Sequence, residues 1–276
     1  MKGARGLYNA LLSGDDTPAV EVLDAWLQAD GGEERGWLEA FAGRRGDPIP
    51  PADEQDLWRL YALSRVQQIL TLGFQPTRVV EDRPGCVPPD DWSKPISVSA
   101  YDKFLTALGF TRVERGWSPF FHEIVVVEQS ADPDESASVV DELWPAHTLG
   151  PMLFSRAGVV VRAGKRRIDK AVAETSPLYW AFRRRNRSCV DASHGWGSNS
   201  QWRTGFRRDY ALEGRLWFNV DARSHGAGRG DLDGVSAEEQ EQIICHRCFV
   251  TTARTDEIVW LALGTTVLDE RLSITP

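Results

Sequence analysis

The densest run of side chains able to do chemistry is Cys189-Val-Asp191-Ala-Ser193-His194-Gly-Trp196-Gly-Ser-Asn199-Ser-Gln201-Trp202-Arg203. Gly195 and Gly197 bracket Trp196 there, and Ser198-Asn199-Ser200 follows. Small residues let backbone N–H groups approach a ligand and form anion-binding nests. His194, of a type that titrates near neutrality, is the candidate general acid or base. Asn199 and Gln201 would orient a ligand. Arg203 and Arg207 would stabilise its charge through planar, forked donors.

The residues that follow predict the element presenting this group. Residues 201–210 and 215–221 read as a hairpin turning at Glu213-Gly214. As strands, they place Trp202, Phe206 and Tyr210 on a core face with Leu216, Phe218 and Val220. Gln201, Arg203, Gly205, Arg207 and Asp209 then lie on the opposite face, with Arg215, Trp217, Asn219 and Asp221 beside them. That face would offer arginines and an indole to a phosphate or carboxylate, and Gly205 would admit close approach. The spacing of Trp202, Phe206 and Tyr210 fits a helix as well.

Metal and nucleophile chemistry have weaker sequence support. Cys245-His-Arg-Cys248 is a single C-x-x-C inside a helix that opens with the capping box Ser236-Ala-Glu-Glu239. A zinc site built from Cys189, His194, Cys245 and Cys248 would supply the required four ligands, although the spacing matches no zinc module. Packing of free cysteines is the ordinary outcome, so no cofactor is expected. The chain has no G-x-S-x-G elbow, no G-x-x-x-x-G-K-[ST] phosphate loop and no H-E-x-x-H. Gly226-Ala-Gly228-Arg-Gly230 reads as a loop.

Charge is distributed unevenly. Residues 156–229 hold 16 basic and 6 acidic side chains, net +10, within a chain of net −8. Such an excess either faces the acidic remainder of the chain or meets an anionic partner. The stretch favours Arg over Lys, but so does the whole sequence. Three functional classes follow. The first is a non-enzymatic module binding a protein partner or small anionic ligand through the Arg/aromatic region 156–229. The second is an enzyme acting on a phosphorylated or nucleotide-like substrate, with His194 as acid or base. The third is nucleic-acid binding with stacking on Trp196 or Trp217, against which the overall negative charge argues. Motif absence favours the first.

At 276 residues, with 42% hydrophobic and 26% charged side chains, the chain is long enough for one large domain or two small ones. No apolar run approaches the ~20 residues of a membrane span, and the N-terminus lacks a secretory signal core. With four cysteines, this predicts a cytoplasmic protein that does not contact membrane.

Apolar periodicity predicts helices over residues 5–42, with Asp16 or Thr17 as a cap, Pro18 in the first turn and Gly31-Gly32 as a stop. Another helix is expected over Asp53–Leu72 and a short one over Ser99–Leu108. Residues 77–98, rich in Pro and Asp, form a connecting segment. Strands are expected at Phe120–Val127 and Phe154–Arg162, then a helix from Pro177 into Arg183-Arg184-Arg185, and a final strand at Glu257–Leu263. Together these predict an α+β chain: a helical module, 1–76, then an α+β domain, 77–276, with a mixed, mainly antiparallel sheet and flanking helices.

Leu12-Ser-Gly-Asp-Asp-Thr-Pro followed by Val22-Leu-Asp-Ala-Trp-Leu-Gln resembles the short helical repeat-companion module of bacterial proteins. That module shows an Asp-rich turn and then an Ala-Asp-Trp-Leu-Glu-like helix; here the order is Asp24-Ala25-Trp26-Leu27. The resemblance covers residues 7–45. It implies a bacterial, intracellular helical module and carries no activity. Residues 76–276 show no such resemblance.

Overall fold

A computed structural model describes residues 3–13, 16–76, 94–175, 178–179, 181, 183–185, 187, 189–190, 205–221 and 266–269. Its elements run α1 (Gly3–Leu12), α2 (Ala19–Trp26), α3 (Gly32–Ala42), α4 (Glu54–Thr71), α5 (Val98–Ala107), β1 (Thr111–Arg112), β2 (His122–Gln129), β3 (Ser138–Trp144), β4 (His147–Leu149), β5 (Met152–Ser155), β6 (Ala157–Ala163), α6 (Lys170–Ala173), β7 (Leu178–Tyr179), β8 (Cys189–Val190), β9 (Asp209–Leu212), β10 (Arg215–Phe218) and β11 (Thr266–Asp269). The architecture is α+β, with helices first and antiparallel or mixed sheets after. Among the described residues no helix is long and apolar enough to cross a membrane.

The chain divides into two compact units. The first draws its described residues from Met1–Arg112, His147–Gly150 and Trp180–Arg207; the second draws them from Val113–Ala146, Pro151–Tyr179 and Arg208–Pro276.

In the first unit, Leu7 and Leu11 of α1, Leu23 and Trp26 of α2, Leu38 and Phe41 of α3, and Tyr101 and Phe104 of α5 are buried. Trp26 meets the Phe104 ring at 6.0 Å, and its indole N–H donates to Gly3 O at 3.2 Å. The long helix α4 is buried along most of its length, including Ser64, Arg65 and Gln67. Its start is legible locally. Asp53 accepts from Asp56 N–H, and the Asp56 side chain accepts from Asp53 N–H in return. Arg44 also reaches the buried Asp56 carboxylate. Burial alone would raise the Asp56 pKa, but these donors outweigh it and hold the group below its ordinary value.

Two expectations at this end are corrected. Pro18 itself occupies the N-cap of α2, and no side chain caps that helix. Gly31-Gly32 does not stop the helix: Leu27–Gly31 forms a π-turn that runs directly into α3, with both glycines in right-handed helical conformation. A glycine ends a helix by turning left-handed, and neither of these does.

The second unit holds two sheets. In the first, β6 lies between β2 and β3, parallel to β2 and antiparallel to β3. Ile124, Val127, Val159, Val161, Ile168 and Ala173 build its core. The second runs β5-β9-β10-β11, with neighbouring strands antiparallel. Phe120, Phe121, Leu153, Leu216 and Phe218 pack beneath it. The expected hairpin is present but shorter than predicted: it spans β9 and β10, and residues 205–208 carry no regular structure. It turns through Glu213 at φ 54 and Gly214 at φ 72, the paired left-handed geometry of a tight hairpin.

Further predictions are revised here. The apolar run Phe154–Arg162 is not one strand. It breaks at Arg156 into β5 and β6, which belong to different sheets. The helix expected from Pro177 into the arginine run is absent, because Leu178–Tyr179 is extended and Arg183-Arg184 follows no helical path. The hairpin faces are also corrected on one side. Tyr210 pairs with Trp217, so these two share a face, while Ala211 lies opposite Leu216. Tyr210 therefore stands with Arg215 and Trp217, and Asp209 turns to the core side with Leu153, its partner on β5. The helix opened by Ser236 and the strand at 257–263 lie outside the described residues.

One histidine of the second unit gives a pH dependence. His122 is buried and stacks on Trp117 at 5.6 Å. Burial lowers its pKa from 6.5; the Ser118 carbonyl offsets this in part, and Arg115 adds to the depression. Its Nδ1 lies 2.9 Å from Ser118 N, which donates to the neutral ring. The unfolded chain therefore binds the proton more readily than the native one, so His122 withdraws stability as pH falls from 6.5 towards its lower native pKa, and below that the loss stays in full but no longer grows. Across pH 7 to 5, His122→Phe is expected to flatten the decline of the unfolding midpoint while keeping the ring stack. An unchanged slope in the variant would assign the decline to other groups.

Candidate anion-binding site

Of the residues expected to form the site, His194, Trp196, Asn199, Gln201 and Arg203 lie outside the described residues, as do Cys245 and Cys248. Arg207 belongs to the first unit, whereas Trp217 and Asn219 belong to the second. Phe206 N–H, beside Arg207, donates to Leu57 O at 3.0 Å. Trp217 sits on β10, and its indole N–H has no hydrogen-bond partner among the described residues. Asn219 follows β10 with φ 50, and its backbone N–H donates to Asp209 Oδ1 at 2.8 Å.

Much of the positive stretch meets carboxylates within the second unit. Arg156 bonds the buried Asp209 at 3.1 Å, Arg162 bonds Glu135 at 3.0 Å, and Arg166 bonds Asp134. Lys165 and Lys170 stand four residues before Asp169 and Glu174, at 3.9 and 3.8 Å. Arg208 is only 2% exposed on its side chain and grips Asp221 through two nitrogens, at 2.6 and 2.7 Å, with a third donating to Tyr210 Oη. Burial alone would lower the Arg208 pKa; the Asp221 carboxylate and Tyr210 oxygen overturn that and raise it. These guanidinium groups are held by the chain's own acids, the arrangement expected if positive segments face acidic ones.

The first unit gathers arginines differently. Arg184 and Arg187 are buried, the latter at 1% exposure, and Arg183 is half-buried beside them. Arg65, buried on α4, lies 4.4 Å over the Tyr61 ring. Arg65 and Arg183 both act on the buried Tyr8 hydroxyl. Burial raises its pKa, and the two guanidinium groups pull against that rise. Burial likewise lowers the pKa of Arg183, with Tyr8 and Cys189 opposing. The Cys189 thiol, a free cysteine, donates to Arg187 O at 3.6 Å.

Gln75 is tied to the backbone of the same run. Its Oε1 accepts Arg185 N–H at 2.6 Å, across 110 positions of sequence. That bond fixes which end of the amide is oxygen. Its Nε2, on a residue only 4% exposed, has no hydrogen-bond partner among the described residues. Guanidinium groups only donate, and this amide nitrogen only donates.

No family model, curated protein or solved structure matches this chain. The likeness of residues 7–45 to the repeat-companion module rests on the residues quoted for it. Among the described residues no group of three or more His, Cys, Asp or Glu stands together to hold a metal ion. Cys189 is the one proposed zinc ligand within them.

Two features of this region escaped the sequence. Arg183-Arg184-Arg185 is visible as a run, but as the end of an expected helix it pointed nowhere. Gln75 follows a short helical turn, Leu72–Phe74, and carries no motif. A second polar constellation was also missed: His147 Nε2 lies 2.8 Å from Asp102 Oδ1, with the Tyr101 ring edge at 5.5 Å. Pairs of this kind orient imidazoles in nucleophilic sites. Here the His147 side chain is 0% exposed.

Proposed function

We propose that the chain is a non-enzymatic binding protein that takes an anionic ligand, or an anionic group of a protein partner, at the arginines of its first unit. The observation carrying this reading is the burial of Arg65, Arg184 and Arg187, with Arg183 half-buried, in one compact unit. Arginine's planar, forked donors match the oxygens of phosphate and carboxylate groups. The net +10 of residues 156–229 and the lack of catalytic motifs support the same reading. It moves the binding region from the hairpin to the arginine run at 183–187, inside the same positive stretch.

The test is a titration of the full chain with inorganic phosphate and with citrate, followed by thermal unfolding at constant ionic strength. A ligand that binds the native state alone raises the midpoint in a saturable way. Arg183→Ala, at a half-buried position, is expected to weaken the response about tenfold, in line with loss of a charged donor worth ~1.5–3 kcal/mol. Absence of any saturable response to either anion in the unmodified protein removes the reading.

A further inference from the structure

We infer that α3 is a hinged flap of the first unit: it opens about the Leu27–Gly31 π-turn while α4 stays folded, and the pair Glu34–Arg59 is the latch that holds it shut. The hinge follows from the residue types. Asp30 stands seven positions after Leu23 and four after Trp26, both buried, so an unbroken α-helix would carry its carboxylate onto their face. The π-turn takes up one residue more and puts the buried Gly31 there instead. Asp30 does not escape entirely, because its Oδ2 is buried without a hydrogen-bond partner among the described residues. A group left in that condition costs free energy, so the closed turn carries a cost that opening relieves.

Glycine weakens the helix that follows. α3 begins at Gly32 and contains Gly36, and each glycine makes a helix about fivefold less favourable than alanine does. The closed structure requires neither. Both lie in right-handed helical backbone, and a methyl group on either would meet no atom within 4 Å. A rigid helix gains nothing from them, whereas a segment that opens does. α4, by contrast, has no glycine and starts on the reciprocal Asp53–Asp56 cap. Contact with α4 is therefore what closes α3. Glu34, only 2% exposed, accepts from Arg59 Nε at 3.1 Å and Nη2 at 2.9 Å, and the same guanidinium lies 4.4 Å over the Trp37 ring. Opening bares Leu38 and Phe41, buried in the closed state, and frees the Arg59 fork.

Hydrogen exchange of the full chain, read as protection over the intrinsic amide rate, tests the flap. Amides of residues 34–42 are expected to be roughly tenfold or more less protected than those of residues 60–70. Tyr101→Phe removes the hydroxyl that accepts from Gln67 Nε2 at 3.1 Å, a bond between α5 and α4. It is expected to lower protection in α4 about fivefold and to leave α3 unmoved. Gly32→Ala together with Gly36→Ala is expected to raise α3 protection about 25-fold, fivefold for each glycine. Glu34→Gln keeps the shape of the side chain and gives up its charge, and is expected to lower α3 protection about tenfold.

Three results overturn the inference. Equal protection of α3 and α4 in the unmodified chain, or an equal fall in both in Tyr101→Phe, means that α3 opens only when the whole unit unfolds. Unchanged α3 protection in the glycine double variant means that the glycines do not set the opening. Unchanged α3 protection in Glu34→Gln removes the latch. The unmodified chain and the glycine double variant, whose methyl groups enter open space, decide alone if Tyr101→Phe or Glu34→Gln does not fold.

Discussion

Asp209→Ala is expected to lower stability by about 3–5 kcal/mol, the cost of removing one partner from a buried ion pair. The Asp209 side chain is 4% exposed and Arg156 opposite it 11%, so neither charge is well solvated. The same carboxylate serves a second purpose. Its Oδ1 accepts the backbone N–H of Asn219, which stands at φ 50, a left-handed conformation that costs a non-glycine residue energy. Loss of Asp209 therefore strands a guanidinium and loosens a strained turn together. Asp209→Asn keeps an acceptor for Asn219 N–H and loses the charge, so it is expected to cost about 1–3 kcal/mol, the range for a weakened hydrogen bond to a charged group. Asn219→Gly is expected to change stability by less than ~1 kcal/mol, because glycine adopts the left-handed conformation without steric cost. Chemical denaturation of the three variants checks the order. An Asn219→Gly loss as large as that of Asp209→Ala would show that the Asn219 side chain, rather than its backbone, secures the turn.

How far the sequence disclosed this fold depends on the range of the interaction. The capping exchange between Asp53 and Asp56 spans three residues, and the periodicity of α4 is local, so that helix was readable to within a residue or two. The hairpin turn was readable for the same reason: Glu213-Gly214 needs two left-handed residues, and glycine signals one of them. Its faces were not, because register depends on where the strands begin, and residues 205–208 are irregular where a strand was expected. One residue of offset moved Tyr210 to the Trp217 face. Phe154–Arg162 failed differently. Apolar content predicts burial but not which sheet buries it, and Arg156, at the break, pairs with Asp209 from another strand. The arginine run shows both outcomes at once. Its charge was plain in the sequence, yet its association with Gln75 joins positions 110 apart. Nothing local in either segment encodes that pairing.

Gly158→Ala is expected to destabilise the second unit by about 3 kcal/mol, at the upper end of the cost of inserting a methyl group into a packed core. A Cβ at this position would lie 2.3 Å from two atoms of the Trp144 ring. Contact at that distance must be relieved by movement, and the indole has little freedom to move. Trp144 is buried in β3, Gly158 lies in β6, and the two are cross-strand partners. The indole N–H is also tied to Arg156 O at 2.9 Å, the residue where the chain passes from one sheet to the other. Pushing the ring aside therefore disturbs that crossing as well as the core. Trp144→Phe removes the outer ring, which supplies the clashing atoms, and also the hydrogen bond to Arg156 O. Alone it should be destabilising through the cavity and the orphaned carbonyl. Combined with Gly158→Ala, however, the new methyl occupies space the indole has left. The double variant is expected to be more stable than the sum of the two losses by about 1–2 kcal/mol, a coupling typical of residues in contact. Equilibrium unfolding of the four proteins gives that coupling directly. Strict additivity would mean that the strand pair accommodates the methyl by shifting backbone, leaving the Trp144 ring where it stands.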